Sequence, residues 1–235
     1  MNLHDHSHPS GAACRDISHL RAGIQRFRQR YYQDAPELMQ HLVDHGQAPP
    51  VLMIACSDSR VDPALLADVD PGELFMVRNV ANLVPPYDAA RAFDGAGAAI
   101  EYAVRDLKVD HIIVLGHAHC GGIKAMLAAA GGHWPDRDFV GKWVSLALDA
   151  SRLHLSRKGA DGQPVAVSLE RLRENPALVE RASVAGSLRN LMTYPWVQAR
   201  VTDGSLALHG WWFDLDTGDL WATESAGTPL MPVLD

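Results

Sequence analysis

Short apolar runs alternate along this chain with amphipathic stretches of helical length. The alternation predicts an α/β fold: a mostly parallel central sheet flanked by helices, with an N-terminal helical arm and a C-terminal β-hairpin. Three observations carry the expectation. Residues 51–55 (VLMIA) are an unbroken apolar run, the mark of a strand buried on both faces. Residues 73–78 (ELFMVR) and 110–116 (DHIIVLG) repeat it, with an Ala-rich amphipathic stretch at 89–107 between them. Near the end, residues 205–215 and 220–223 flank Asp216-Thr217-Gly218-Asp219, which reads as a hairpin turn.

Taken in order, residues 1–15 are polar, with His4, His6 and His8 alternating, and read as a flexible tail. From residue 17 to 45 apolar residues recur at helical spacing: Leu20, Ile24 and Phe27, then Leu38 and Leu42. Pro36 lacks the N–H a helix interior needs and divides this stretch in two. Residues 46–50 form a turn before the first strand, and residues 121–130 restart a helix after the third. Residues 136–192 read as mostly helical, interrupted by an exposed loop at 159–164 (GADGQP). No repeat, low-complexity block or linker divides residues 16–235, which are expected to form a single domain.

Composition narrows the function. Of 235 residues, 47% are hydrophobic and 21% charged, which is globular rather than disordered. The formal charge is 21 − 28 = −7, a poor balance for a nucleic-acid binder. No run reaches the roughly 18 apolar residues of a membrane helix, and the first residues lack the apolar segment of a secretory signal. Three cysteines, Cys14, Cys56 and Cys120, make no disulfide framework and suit a reducing cytoplasm, where thiols serve as metal ligands or nucleophiles.

Two segments carry chemistry. Ala55-Cys56-Ser57-Asp58-Ser59-Arg60 follows the first strand, and Gly116-His117-Ala118-His119-Cys120-Gly121-Gly122 follows the third. Ligands of open α/β sheets bind beyond the carboxyl ends of the strands, so Cys56, His117 and Cys120 can converge there. Two thiolates and an imidazole suit zinc, and three protein ligands leave a fourth position open, as catalytic sites do. The glycines after Cys120 admit close backbone approach and open a helix whose N-terminus favours thiolate. Asp58 and Arg60, two apart, point to the same side of an extended stretch. On the residues alone other readings stay open: buried cysteines with a core histidine, a structural Asp–Arg pair, a zinc protein closed permanently by Asp58, or a hydrolase with Cys56 as nucleophile and His117 as base.

The two motifs, together with PGELFMVRNVANLVPPYD and GAGAAIEYAV between them, resemble the β-class carbonic anhydrases, most closely the plant-type branch. The resemblance runs from about residue 46 to 124 and returns weakly at Leu208-His209-Gly210-Trp211. It implies reversible hydration of carbon dioxide to bicarbonate and a proton by hydroxide on one zinc per chain. Cys56, His117 and Cys120 would hold the zinc, with Asp58 and Arg60 as a catalytic dyad. Gln47 matches a glutamine that bonds bicarbonate; Phe75, Val80 and Tyr102 match residues lining an apolar carbon dioxide pocket; and Gly121 matches a glycine at the site.

Departures from the pattern are also visible. One residue is inserted near 91–94, and Asp106 stands where family members often carry a histidine. In part of the family a Trp, an Arg and a Tyr bind a regulatory bicarbonate. Here those positions hold Met53, Arg78 and Phe213, with Ala55 for a neighbouring glycine, which implies that this off-switch is absent and leaves Arg78 as a structural ion-pair partner. The resemblance further implies a homodimer at least, with tetramers common, the N-terminal helices wrapping the second copy. Carbon disulfide or carbonyl sulfide hydrolysis is the alternative chemistry on the same zinc site.

Overall fold

The computed structural model describes residues 17–91, 93–133, 137–158, 164–223 and 227–233. The expected tail, with His4, His6, His8 and Cys14, lies outside the described residues. The described residues divide into two compact units, with the boundary between Gln47 and Ala48.

In the first unit, α1 (Ser18–Arg28) ends with Arg26 and Arg28 in its last turn, where cations suit the helix dipole. It runs on through a wider turn, Gln29–Asp34, and stops at Ala35, whose φ of −140° is not helical. Pro36 then opens α2 (Glu37–His45), the break its missing N–H predicts. No residue of α1 or α2 is buried, and Leu20 and Ile24 on the apolar stripe are 56% and 69% exposed.

The second unit is built on a six-stranded sheet. Its strands are β1 (Val51–Cys56), β2 (Leu74–Asn79), β3 (His111–His117), β6 (Ala207–Phe213), β7 (Leu220–Thr223) and β8 (Leu230–Pro232), in the order β2-β1-β3-β6-β7-β8. The first four are parallel; β7 and β8 add antiparallel pairs. The β6–β7 connection is the expected hairpin, its turn closed by Gly218 at φ 83°, a left-handed conformation that glycine adopts without strain. Short α3 (Pro63–Leu66) follows β1, and α4 (Gly95–Glu101) precedes β3. Then come α5 (Gly121–Ala130), α6 (Val140–His154), α7 (Leu169–Glu174), α8 (Pro176–Leu191) and α9 (Pro195–Thr202).

The alternating side chains of β1 and β3 feed different buried clusters, as a period of two requires. Leu52, Ile54, Ile112 and Val114 pack with Val184 and Leu188 of α8 and with Ile100 and Val104. Met53, Ala55, Ile113 and Leu115 form a smaller cluster on the opposite face. A third cluster joins Cys56 and Cys120 to α5 and α6 through Ile123, Met126, Val144 and Ala147.

Several elements differ from the sequence expectation. Helix α4 starts at Gly95, not at residue 89, because Asp94 caps it, Oδ1 accepting from the Gly97 N–H at 2.9 Å. An Ala-rich pattern does not mark its own start; the capping carboxylate does. The helix then widens over Tyr102–Asp106. The loop expected at 159–164 joins two short antiparallel strands, β4 (Ser156–Lys158) and β5 (Pro164–Ala166), with 159–163 outside the described residues. Helix α9, opened by Pro195 at its first position, and β8 were not foreseen.

Candidate metal centre

Three strand ends build the site. Cys56 is the last residue of β1 and His117 the last of β3, while Cys120 caps α5 one short turn later. Beside them β2 ends at Asn79, and the chain turns through Ala81 and Asn82 at φ 65° and 49°. Left-handed backbone at a non-glycine residue is uncommon and persists where surroundings hold it. Here the Ala81 N–H donates to Cys56 Sγ at 3.4 Å. His119, at φ 58°, makes the corresponding bend between His117 and Cys120.

Ligand atoms of Cys56, His117 and Cys120 lie within 4.8 Å of one another, all three residues buried, and no other such group of three occurs among the described residues. The two sulfurs are 3.9 Å apart. Two Zn–S bonds of about 2.3 Å at a tetrahedral angle place sulfurs about 3.8 Å apart, so the pair fits zinc without rearrangement. His117 Nδ1 donates to the Ala118 carbonyl at 2.8 Å, which leaves the Nε2 lone pair free. That Nε2 is buried and has no hydrogen-bond partner among the described residues, an orphan that a metal ion satisfies.

The electrostatics agree. The Cys120 thiol lowers the pKa of Cys56 by donating to it, against the opposing effect of burial, and His117 adds to the lowering. Cys120 is pushed up in turn, first by Cys56 and then by burial. Burial, the largest single influence, pulls His117 down, but the Cys56 thiolate, the Ala118 carbonyl and the Asp58 carboxylate together make the net shift upward. A metal cation bound by these sulfurs displaces thiol protons.

Asp58 is held away from this group. Arg60 donates to it twice, Nε to Oδ1 at 2.9 Å and NH2 to Oδ2 at 2.7 Å, and the Arg60 backbone N–H adds a third bond to Oδ1 at 3.0 Å. This pairing, chiefly the Arg60 side-chain bonds, keeps the Asp58 carboxyl far below the usual carboxylate range. Asp58 Oδ2 is 4.0 Å from His117 Nε2, beside the metal group but outside it. Arg60 also donates to the His119 carbonyl at 3.2 Å, and the His119 ring bonds Asp216 at 2.8 Å.

The other anticipated residues divide by position. Val80 and Gly121 lie at the metal group: Val80 precedes Ala81, and Gly121 follows Cys120. Phe75 pairs in register with Leu52, four residues before the Cys56–Asn79 level, which sets it about 13 Å back along the strand. Tyr102 goes with it, the ring centroids 5.8 Å apart. Gln47 belongs to the first unit. Arg78 is held by NH1 on Asp62, Nε on the Cys56 carbonyl and NH2 on the carbonyls of Cys56, Asp58 and Val61.

Two residues at the site were not foreseen from the sequence. Trp143 donates to the Val80 carbonyl at 2.7 Å, and the buried Glu180 on α8 accepts from the Cys120 N–H at 3.1 Å. Glu180 stands in a helix buried on more than one side, where an inward carboxylate is the available signal.

A mostly parallel α/β sheet with two thiolates and an imidazole at its carboxyl edge defines a zinc-site protein with one coordination position left open. Comparison with known proteins narrows the class. The family model described as carbonic anhydrase matches residues 51–220. A carbonic anhydrase of Synechocystis sp. is 38% identical over 212 residues, 88% of this chain and 71% of that protein. The structure of the β-carbonic anhydrase CcaA superposes with a TM-score of 0.72 at 34% identity, covering 93% of this chain and 92% of that one. Structures of two tetrameric β-carbonic anhydrases from the ascomycete Sordaria macrospora give 0.68 at 27% identity over 92% and 98%. The chain belongs to the carbonic anhydrase family, and its solved relatives place it in the β class.

Proposed function

We propose that this chain hydrates carbon dioxide reversibly to bicarbonate, with Cys56, His117 and Cys120 holding one zinc. One observation carries the reading: the three ligand atoms converge while Asp58, the nearest further donor, is turned to Arg60. Zinc bound there supplies Lewis-acid activation of water, an effect for which carbonic anhydrases are themselves the standard example.

The remaining work falls to the chain. Asp58 Oδ2 keeps a lone pair on the side of His117 Nε2 and holds a proton of the attacking water, aiming the oxygen's lone pair at the carbon. Arg60, paired through two side-chain bonds, keeps the carboxylate ionised and off the metal position. Val80 offers apolar surface to a substrate that has no polar handle, and Gly121 leaves open space beside it, with no atom within 4 Å of where a Cβ would stand.

Phe75 and Tyr102, set back from the zinc of their own chain, serve the pocket of a second copy, so the working unit is a homodimer or a larger assembly of dimers. The uncovered stripe of Leu20 and Ile24 supports the same reading. Arg78 is held by Asp62 and backbone carbonyls, and Met53 and Phe213 offer neither an indole N–H nor a hydroxyl to a regulatory bicarbonate, so hyperbolic bicarbonate kinetics are expected. Among the described residues no helix is long and apolar enough to cross a membrane. The paired thiols favour a reducing compartment such as the cytoplasm.

Stopped-flow carbon dioxide hydration on protein of measured zinc content tests the proposal. Hydration that scales with zinc is expected. Zinc-loaded protein that turns over carbon disulfide but not carbon dioxide would overturn it, and light scattering that shows a monomer would remove the shared pocket.

A further inference from the structure

Glu180 is the one acidic side chain among the described residues that is fully buried, at 3% exposed, and the hydration chemistry assigns it no task. It sits on α8 among other buried residues, Val179, Ser183, Val184 and Ser187. No Lys or Arg among the described residues forms an ion pair with it. The Trp212 indole N–H lies beside the carboxylate without reaching hydrogen-bond geometry. A buried carboxylate with so little compensation is costly, and Leu or Met would fill the space without that cost.

What the carboxylate does make is one directed bond, Oε1 accepting the Cys120 N–H at 3.1 Å. Cys120 caps α5, so its N–H has no partner inside the helix. It also follows His119, whose left-handed backbone is uncommon at a non-glycine residue and persists only where neighbours hold it. A bond at the Cys120 amide fixes the peptide plane and with it the direction in which Cα–Cβ and Sγ leave the chain. The acceptor stands near the N-terminus of α5, where negative charge suits the dipole.

We propose that Glu180 is a positioning residue for the metal ligand Cys120: its carboxyl oxygen locks the Cys120 amide so that Sγ converges with the ligand atoms of Cys56 and His117. This rests on the zinc reading above. Zinc content of the unaltered protein tests that reading separately, because a chain that binds no stoichiometric zinc defeats it before any variant is compared.

The test uses full-length Glu180→Met, which keeps the volume and removes the acceptor, and Glu180→Gln, which keeps an acceptor oxygen. Leu191→Ala, in the cluster on the far part of α8, serves as a control for stability loss alone. Two quantities are read besides turnover: the rate at which zinc passes to a chelator, and the thiolate-to-metal absorption of the cobalt-substituted protein. Outer contacts of this kind are worth roughly 10–100-fold in metal affinity. E180M is expected to release zinc about 10–100-fold faster, to shift the cobalt absorption and to lower kcat with KM unchanged. E180Q is expected to stay within a few-fold of wild type, and L191A to lower the melting temperature with both metal readouts intact. A wild-type release rate and spectrum in E180M would overturn the proposal. So would E180Q failing as badly as E180M, or L191A moving the metal readouts as far. Should E180M not fold, Glu180→Asp decides, because it withdraws the oxygen by one methylene: faster release and a shifted spectrum are expected, and wild-type behaviour overturns the assignment.

Discussion

Replacing Gly122 by Ala puts a methyl group 2.7 Å from Val80 Cγ1 and 2.9 Å from Ala81 Cβ. Carbon atoms in contact prefer about 3.5–4.0 Å, so these neighbours must retreat by about half an ångström or more. Val80 has a side chain that can turn. Ala81 does not: its Cβ is fixed to a left-handed backbone, and its N–H is bonded to Cys56 Sγ. The clash therefore reaches a residue of the candidate metal group. Overpacking of this kind costs roughly 1–3 kcal/mol. At about 2–4 °C per kcal/mol for a chain of this size, Tm falls by roughly 2–12 °C. Gly121 is the internal control, because an added Cβ there meets no atom within 4 Å. Gly121→Ala should hold or slightly raise Tm, Ala being the better helix former, and any activity loss reports a methyl group in substrate space. Thermal unfolding of the zinc-loaded variants, with hydration rates on the same samples, reads both. A Gly122→Ala protein melting with wild type, or a Gly121→Ala protein melting below it, would refute the packing argument.

Three further outcomes are expected. Cys56→Ser replaces a soft thiolate by a poor hydroxyl donor, so zinc measured after dialysis falls and hydration is lost; full zinc with normal turnover would remove Cys56 from the ligand set. Asp58→Ala leaves the three ligands in place and should retain zinc while kcat drops roughly 10²–10⁴-fold, whereas zinc lost on purification would make Asp58 a fourth ligand. Burial first, and the His111 ring 3.1 Å away second, lower the pKa of His209, so the unfolded chain binds this proton more tightly than the folded one. Stability from this group is therefore lost as pH falls below the ordinary histidine value of about 6.5, and urea midpoints of wild type and His209→Gln should converge toward acid; parallel midpoints would contradict the sign.

What could be read from the chain follows from how far apart the interacting residues are. Cys56 and the His117–Cys120 pair are legible because each ends a short apolar run, and strand ends of a parallel sheet share one edge. The hairpin at Asp216–Asp219 is legible because its turn chemistry is local, yet the parallel pairing of β6 with β3 is not, since nothing near residue 207 names His111 as its neighbour. Helix α4 shows the same limit at short range: alanines describe a helix anywhere from 89 onward, and the Asp94 side chain fixes its start. Phe75 and Tyr102 match the pocket pattern in type, but spacing along one chain does not say which copy's zinc a side chain serves. The second-copy proposal rests on the register of Phe75 with Leu52, four residues back from the metal edge. Glu180 is the extreme case. It reaches Cys120 across 60 residues of sequence, from the middle of a helix whose other inward residues are apolar or small. Residues that bind a metal announce themselves by chemical type. Residues that aim those ligands do so through a single backbone contact, and such contacts become visible only when the chain is folded.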